Sequence, residues 1–516
     1  MSNSTFLKHK VAALSRLPFS LLKPKRYHSR KSLITRFLLN LFVATAVVVA
    51  LHSASEVFLL KEIKDKVLDW LMYFQSDFEP ITQTGRKMQR MALFEIDDKT
   101  YREWGSPVIM PRDKLKSLIE QADKGGANVV VVDMSLTWLS DGCFHEVGKN
   151  AVCSPVKLDT DVALGSYLQK LNEEFHSRER YDTPIVLLSR TYRKPLDENG
   201  AIKTEAFLEK PFSFLEGYIR DEKNVFWTNT FFVADEGGKR RSWQPVSLVC
   251  EDNHLTVVPS MPLLAAMAQL YSCKDSTRNA AYMIRQFKRR LNAWAQTLPC
   301  NTSQGTSLAQ ICQKIDCPNL TVTVPNKAGV CDKVHEMDLA KGRETERIVY
   351  RFAPPDNPST NQRHLIEKYS ALDVLKKGAN VEKQIVFIGV THQDNGKRHP
   401  IPIRSNEVDD VYLVANAVDT LLRFGRFQPQ PLAYKISVSI VLVIILTLIF
   451  SYYKLITALV LSTALVGTVL LVFSGQALHH GIGIDVAMGM MAIQLLACSR
   501  RFIALVAKAT TTNLSC

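Results

Sequence analysis

The first 55 residues contain no aspartate and no glutamate; the earliest acid is Glu56. Lys8, Lys10, Arg16, Lys23, Lys25, Arg26, Arg30, Lys31 and Arg36 therefore stand unopposed, and much of the formal net charge of +14 sits in this arm. The arm also lacks cysteine. The large central region carries no G-x-S-x-G elbow, no H-E-x-x-H pair and no Walker glycine loop. These absences remove the commonest signatures of serine hydrolases, zinc peptidases and P-loop enzymes. The residues nominate no catalytic group, no cofactor and no metal, and the expectation is a protein that is not an enzyme.

A basic arm is compatible with nucleic-acid binding. Here it runs directly into "FLLNLFVATAVVVAL" (37–51). Positive charge beside an apolar segment marks the cytoplasmic flank of a membrane span, so membrane is the expected partner and nucleic acid is not. A cleaved signal peptide competes, with small residues at "LHSAS" (51–55). The basic region is long for one, however, and apolar character resumes at "VFLL" (57–60). The reading is a cytoplasmic arm over 1–36 and an uncleaved transmembrane helix over 37–60. Further apolar runs at 434–453, 455–474 and 482–499 read as three more spans, with a tail over 500–516. Lys454, Arg500 and Arg501 all fall on the predicted inside. Both termini are then cytoplasmic, and residues 61–433 lie outside, in the periplasm of a bacterial inner-membrane protein.

Eight of the ten cysteines lie in that outside region: Cys143, Cys153, Cys250, Cys273, Cys300, Cys312, Cys317 and Cys331. An even number confined to one compartment suits disulfides. Pairing is not deducible from sequence; Cys143 with Cys153 is the most natural single guess by spacing. Cys312 and Cys317 also fall at zinc-ligand spacing, but no second tight pair follows them. Residues 273–343 are polar and weakly periodic, and read as an inserted cysteine-rich lobe instead of a core layer.

The rest of 61–433 has an α/β pattern with a mainly parallel central sheet. "MALFEI" (91–96), "NVVVVDMSL" (128–136), "TPIVLLSR" (183–190), "NVFWTNTFFV" (224–233), "ERIVYRF" (346–352) and "QIVFIGV" (384–390) read as strands. Helices are expected at 56–74, 111–127, 260–271 and within 407–424.

A strand ending in Asp97-Asp98, then Pro111-Arg112 opening a helix, then "GGANVVVVD" (125–133), resembles the front of the type-two CHASE domain. "KQIVFIGV" (383–390) and "ANAVDTLL" (415–422) are similar to that family's closing strand and helix, and one span before the domain with three after matches its layout. "SPVIM" (106–110) stands where the family has a tryptophan-rich stretch, and Val414 where it often has histidine. The resemblance implies an extracellular sensory domain of the kind associated with cyclases and histidine kinases. Only 15 residues follow Arg501, so no output enzyme is expected in the chain itself.

Asp97 and Asp98 close one strand, Asp133 closes a strand read as its neighbour, and Arg112 opens the helix between. Carboxyl ends of adjacent parallel strands share one crevice, so these four residues form the candidate ligand site. Three acids suit a divalent cation or a cationic ligand. In the structural reading, Asp98 opens a turn or caps a short helix, and Asp97 pairs with Arg112. His392 and His399 flank a polar loop and read as solvent-exposed. Three functions are compatible with these features: a sensor relaying to a separate signalling enzyme, a scaffold subunit of a cell-envelope complex, or, least supported, an extracytoplasmic hydrolase. Small residues repeated on the spans also admit a homo-oligomer.

Overall fold

The structure is a computed structural model. It describes residues 30–53, 62, 65–70, 72, 91–137, 158–173, 183–195, 207–235, 237–251, 254–272, 277–296, 300, 321–325, 334–338, 346–350, 366–393, 398–402, 407–424, 428–429, 432–454, 456–465, 468 and 482–483. The chain divides into two compact units, one of residues 1–78 with 428–516 and one of residues 79–427.

Six strands form the core of the second unit: β1 (Met91–Ile96), β2 (Val129–Val132), β3 (Ile185–Ser189), β4 (Val225–Thr228), β5 (Ile366–Ser370) and β6 (Ile385–Val390). Every pairing is parallel, in the order β5-β1-β6-β2-β3-β4. A parallel sheet is covered on both faces, which is why these strands are continuous apolar runs without alternation. The expected adjacency of β1 and β2 is therefore corrected. β6, from the far end of the chain, lies between them, with Phe94 opposite Ile388 and Ile388 opposite Val132. Sequence pattern reports that a strand is buried, and carries no record of which strand it pairs with.

Helices α2 (Asp98–Glu103), α3 (Arg112–Lys124) and α4 (Asp159–Glu173) follow in the chain, and α3 and α4 pack together. Leu115, Leu118, Ile119, Leu164 and Leu168 build one core with Ala92, Phe94, Val130, Val132, Val186 and Leu188. The opposite face takes α5 (Met261–Tyr271) on β2 and β3, and α8 (Asp410–Phe424) on β6. Between these two helices in the chain lie α6 (Thr277–Ala295) and α7 (Ala371–Lys377). Ser260 caps α5 by accepting from the Leu263 amide. Gly126, at φ +81, turns the chain out of α3 into β2 in a conformation that costs a residue bearing a Cβ.

Several elements were not legible in advance. The edge strand β5, "IEKYS", carries two charges and does not read as a strand. The segment read as a weakly periodic lobe opens with α6, whose Ala280, Ala281, Ile284, Leu291 and Ala295 are fully buried. The cationic run around Lys288–Arg290 masks that stripe, because it lowers the mean apolarity of the window without touching the buried positions. Of the expected strand 346–352, residues 346–350 are described, and among these Glu346–Arg347 forms a strand, pairing with Arg240–Trp243. One disulfide is described, Cys250–Cys300, with a Cα–Cα distance of 5.7 Å. Closing a loop of that sequence separation, 50 residues, stabilises the fold by about 4 kcal/mol on the chain-entropy account. Cys143, Cys153, Cys273, Cys312, Cys317 and Cys331 lie outside the described residues.

In the first unit, α1 (Arg30–Ser53) packs against α9 (Leu432–Tyr452). Asn40 Nδ2 donates to Ser451 Oγ at 2.9 Å within a seam of Ala44, Val443, Leu446 and Phe450. Among the described residues no helix is long and apolar enough to cross a membrane. In α9 the described side chains form an unbroken run only over 440–452. The expected spans over 455–474 and 482–499 lie largely outside the described residues.

Arg112, first residue of α3, lies 3.7 Å from Asp161 of α4, both nearly inaccessible to solvent. Its guanidinium also sits 5.3 Å from the Phe214 ring centroid. Burial lowers the Arg112 pKa to about 10, against the upward pull of Asp161. Asp161→Asn removes the carboxylate from a buried cation and should cost about 3–5 kcal/mol, whereas Arg112→Met with Asp161→Leu should recover most of it. Urea unfolding followed by tryptophan fluorescence decides: an equal loss in the single and double variants would show that packing, not charge pairing, holds α3 to α4.

Candidate functional site at the carboxyl edge of the sheet

The carboxyl ends of parallel strands gather side chains at one edge, because every strand stops there and every helix starts back from it. Asp97 ends β1 as the N-cap of α2, and its Oδ1 accepts from the Thr100 amide at 2.7 Å. Asp98, the first helical residue, accepts from the Gln393 amide at 2.9 Å and so ties the loop after β6 to α2. The roles expected in the structural reading are thus redistributed: Asp97 is the cap, and the partner of Arg112 is Asp161. Asp133 follows β2, half-buried, with its amide donating to the Ile388 carbonyl. It is two strands from Asp97, about 10 Å by the usual strand spacing. Asp97 and Asp98 thus stand at the end of β1, Asp133 stands at the end of β2, and Arg112 opens α3 beside Asp161.

The two histidines are also placed differently from expectation. His392 is buried and stacks on Tyr101, with ring centroids 3.7 Å apart. His399 Nε2 lies 2.7 Å from Asp410 Oδ1. Among the described residues no group of three histidines, cysteines or acids is placed to hold a metal ion.

Among the described residues a set of ionisable groups at this edge surrounds Glu95, which strand alternation places on the face opposite Phe94. Tyr412, on the first turn of α8, approaches Glu95 Oε1 at 3.5 Å. Lys368 of β5 lies with its ammonium 4.8 Å from the Tyr412 ring centroid. Asp409, just before α8, is 4% exposed and lies 3.7 Å from Arg398 Nε. Burial lifts the Asp409 carboxyl to about 6; Arg398 pulls it down, and Glu95 and Asp410 push it up. Burial also lowers the Lys368 ammonium and raises the Tyr412 phenol, the latter further by Glu95 and Asp409. This set was missed in the sequence. Its one signal is the acid inside "ALFEI", a charge in a strand that is otherwise apolar on both faces.

Access for α8 depends on Gly389, the register partner of Glu95. A Cβ there would lie 2.6 Å from the Val411 side chain. Further along α8, Asn416 donates to the Tyr412 carbonyl, and Thr420 Oγ1 accepts from the Val349 amide at 3.0 Å. Of the "ANAVDT" polar residues, Thr420 therefore ties the helix to the segment at Val349. Val414 is fully buried in it, while Val108 of "SPVIM" is fully exposed.

Two variants separate structural from ligand-binding roles at Asp97. Asp97→Ala should cost about 1 kcal/mol through loss of the cap, and Asp97→Asn, which caps as well, should cost almost nothing. If Asp97→Asn instead abolishes signalling in cells while thermal stability is unchanged, the carboxylate itself engages a ligand.

A family model described as the CHASE2 domain matches residues 43–453 of this chain. No curated protein and no solved structure matches it. The match runs from within α1 to the end of α9 and takes in the whole parallel sheet. The chain belongs to the CHASE2 domain family, a family of sensory domains.

Proposed function

We propose that this chain is a sensor-transducer of the bacterial inner membrane, with its α/β unit in the periplasm and its output delivered through a separate protein partner. Family membership carries the sensory part of the reading. The two helices of the first unit support the membrane part. Ile34, Leu38, Leu39, Phe42 and Val49 of α1, and Ile440, Val441, Ile444 and Leu448 of α9, all turn apolar side chains outward. In water such a surface is unfavourable; against lipid chains it is not. At 1.5 Å per residue the two helices are about 36 and 31 Å long, enough for the hydrocarbon core. The bond from Asn40 to Ser451 joins a residue four after Arg36 to one three before Lys454. In an antiparallel pair this puts both basic flanks at one end, as an inside assignment requires. The Cys250–Cys300 bridge suits an oxidising compartment.

The ligand is expected at the carboxyl edge of the sheet, where Asp97, Asp98 and Asp133 stand, and the partner is expected to be a signalling enzyme. Nucleic acid has no place in this reading. Protease added to intact spheroplasts should degrade the α/β unit and spare the amino-terminal arm, and Cys250 and Cys300 should resist alkylation until reduced. Digestion of the arm alone, with both thiols free, would overturn the assignment. Mild-detergent purification tests the output: a ligand-dependent encounter with a cyclase or kinase fits a sensor, whereas a stoichiometric envelope complex would make the chain a scaffold.

A further inference from the structure

The set of charges around Glu95 has no counterpart in the structural roles of Asp97, Asp98 and Arg112. Each of those residues satisfies a helix end, a loop or a buried pair. Asp409 does not. Its Oδ1 accepts no hydrogen bond, and the partnering Arg398 is 41% exposed and thus partly screened by water. Asp409 is nevertheless almost wholly withdrawn from solvent, beside the start of a helix whose next residue, Asp410, is also acidic.

The ionisable neighbours come from several parts of the fold. Glu95 approaches from β1 through Tyr412, Lys368 from β5, and Arg398 from the strand Arg398–Pro400. Asp410, held by His399, and Tyr412 belong to α8 itself. Asp409 and Glu95 are opposed by one half-buried lysine and one half-exposed arginine. Such a set is too well neutralised to hold a divalent cation, and its most accessible change of state is the gain or loss of one proton.

We propose that Asp409, enclosed by Glu95, Lys368, Arg398 and Tyr412, is a proton-binding site that sets how tightly the first turn of α8 is held on the sheet. The mechanism is electrostatic. When Asp409 is ionised, its charge repels Glu95 and is poorly solvated, so the approach of Tyr412 to Glu95 is strained. When it takes up a proton, both penalties vanish and the carboxyl gains a donor. The close contact of Val411 with Gly389 transmits any lift of the helix start directly to the central strand. The sign follows from the raised carboxyl, at about 6 in the fold against 3.8 when exposed. An acid raised on folding stabilises the fold in its protonated form, so the hold on α8 strengthens as pH falls through about 6 and is fully weakened above it. The sensory reading supplies only the consequence of this switch. The experiment requires neither a partner nor a membrane orientation, so failure of one is distinguishable from failure of the other.

Hydrogen–deuterium exchange of the full-length chain in lipid nanodiscs, corrected for intrinsic rates, tests the proposal. Amides of 410–416 should exchange roughly tenfold more slowly at about pH 5 than at about pH 8, and Asp409→Asn should keep them slow at both. Glu95→Gln should move the midpoint to lower pH, since removing the neighbouring charge eases ionisation of Asp409. An unchanged rate in the native chain, or a pH dependence that survives Asp409→Asn, would overturn the proposal. Should Asp409→Asn fail to fold, the Glu95→Gln midpoint decides alone: no downward shift overturns it.

Discussion

Strand β6 hydrogen-bonds on one side to β1 and on the other to β2, although it follows both by most of the domain's length. The sheet cannot close until this late strand arrives, because β1 would otherwise share an edge only with β5, itself drawn from the same late stretch. Long-range parallel pairing of this kind gains its hydrogen bonds and buried apolar area only after a long loop has been closed. Once β6 is in place, the order of everything at the carboxyl edge follows. It separates Asp133 from Asp97, brings the Gln393 amide to Asp98, and sets His392 on Tyr101.

The second consequence of β6 is α8. Its position is set by Gly389, the one residue in β6 small enough to let Val411 lie against the strand. With α8 lowered onto the sheet, Tyr412 reaches Glu95, and residues remote in sequence form one electrostatic set. A buried carboxyl oxygen without a hydrogen bond, as Asp409 Oδ1 is, is unusual, since such groups are normally satisfied. The arrangement is distinct from the Arg112–Asp161 pair, in which both charges are buried.

The helices of the first unit obey a different constraint. Among the described residues their seam is apolar apart from Asn40, Thr447 and Ser451, and the hydrogen bond from Asn40 to Ser451 joins one helix to the other. Outward from that seam the surfaces are apolar again, a pattern that water penalises and lipid does not.

How much of this was readable depends on whether the signal is local. Continuous apolar runs gave the positions of β1, β3 and β6 within one or two residues and the start of β2, whose expected end at 136 overran the strand by four, because burial on both faces leaves its mark on the strand itself. Pro111, Ser260 and the glycines after α3 likewise marked helix limits through their own backbone chemistry. The edge strand β5 and the buried stripe of α6 escaped, since a charge-bearing edge and a basic helix both look polar on average. Glu95 escaped for a stronger reason: one acid in an apolar strand means little until its neighbours are known. The sequence alone determined the central strands, the capped helices and where positive charge is segregated, because those depend on residues a few positions apart. Strand order, the cap at Asp97, the partner of Arg112 and the enclosure of Asp409 were decided only by the tertiary structure, because each is a contact between segments that the chain holds far apart.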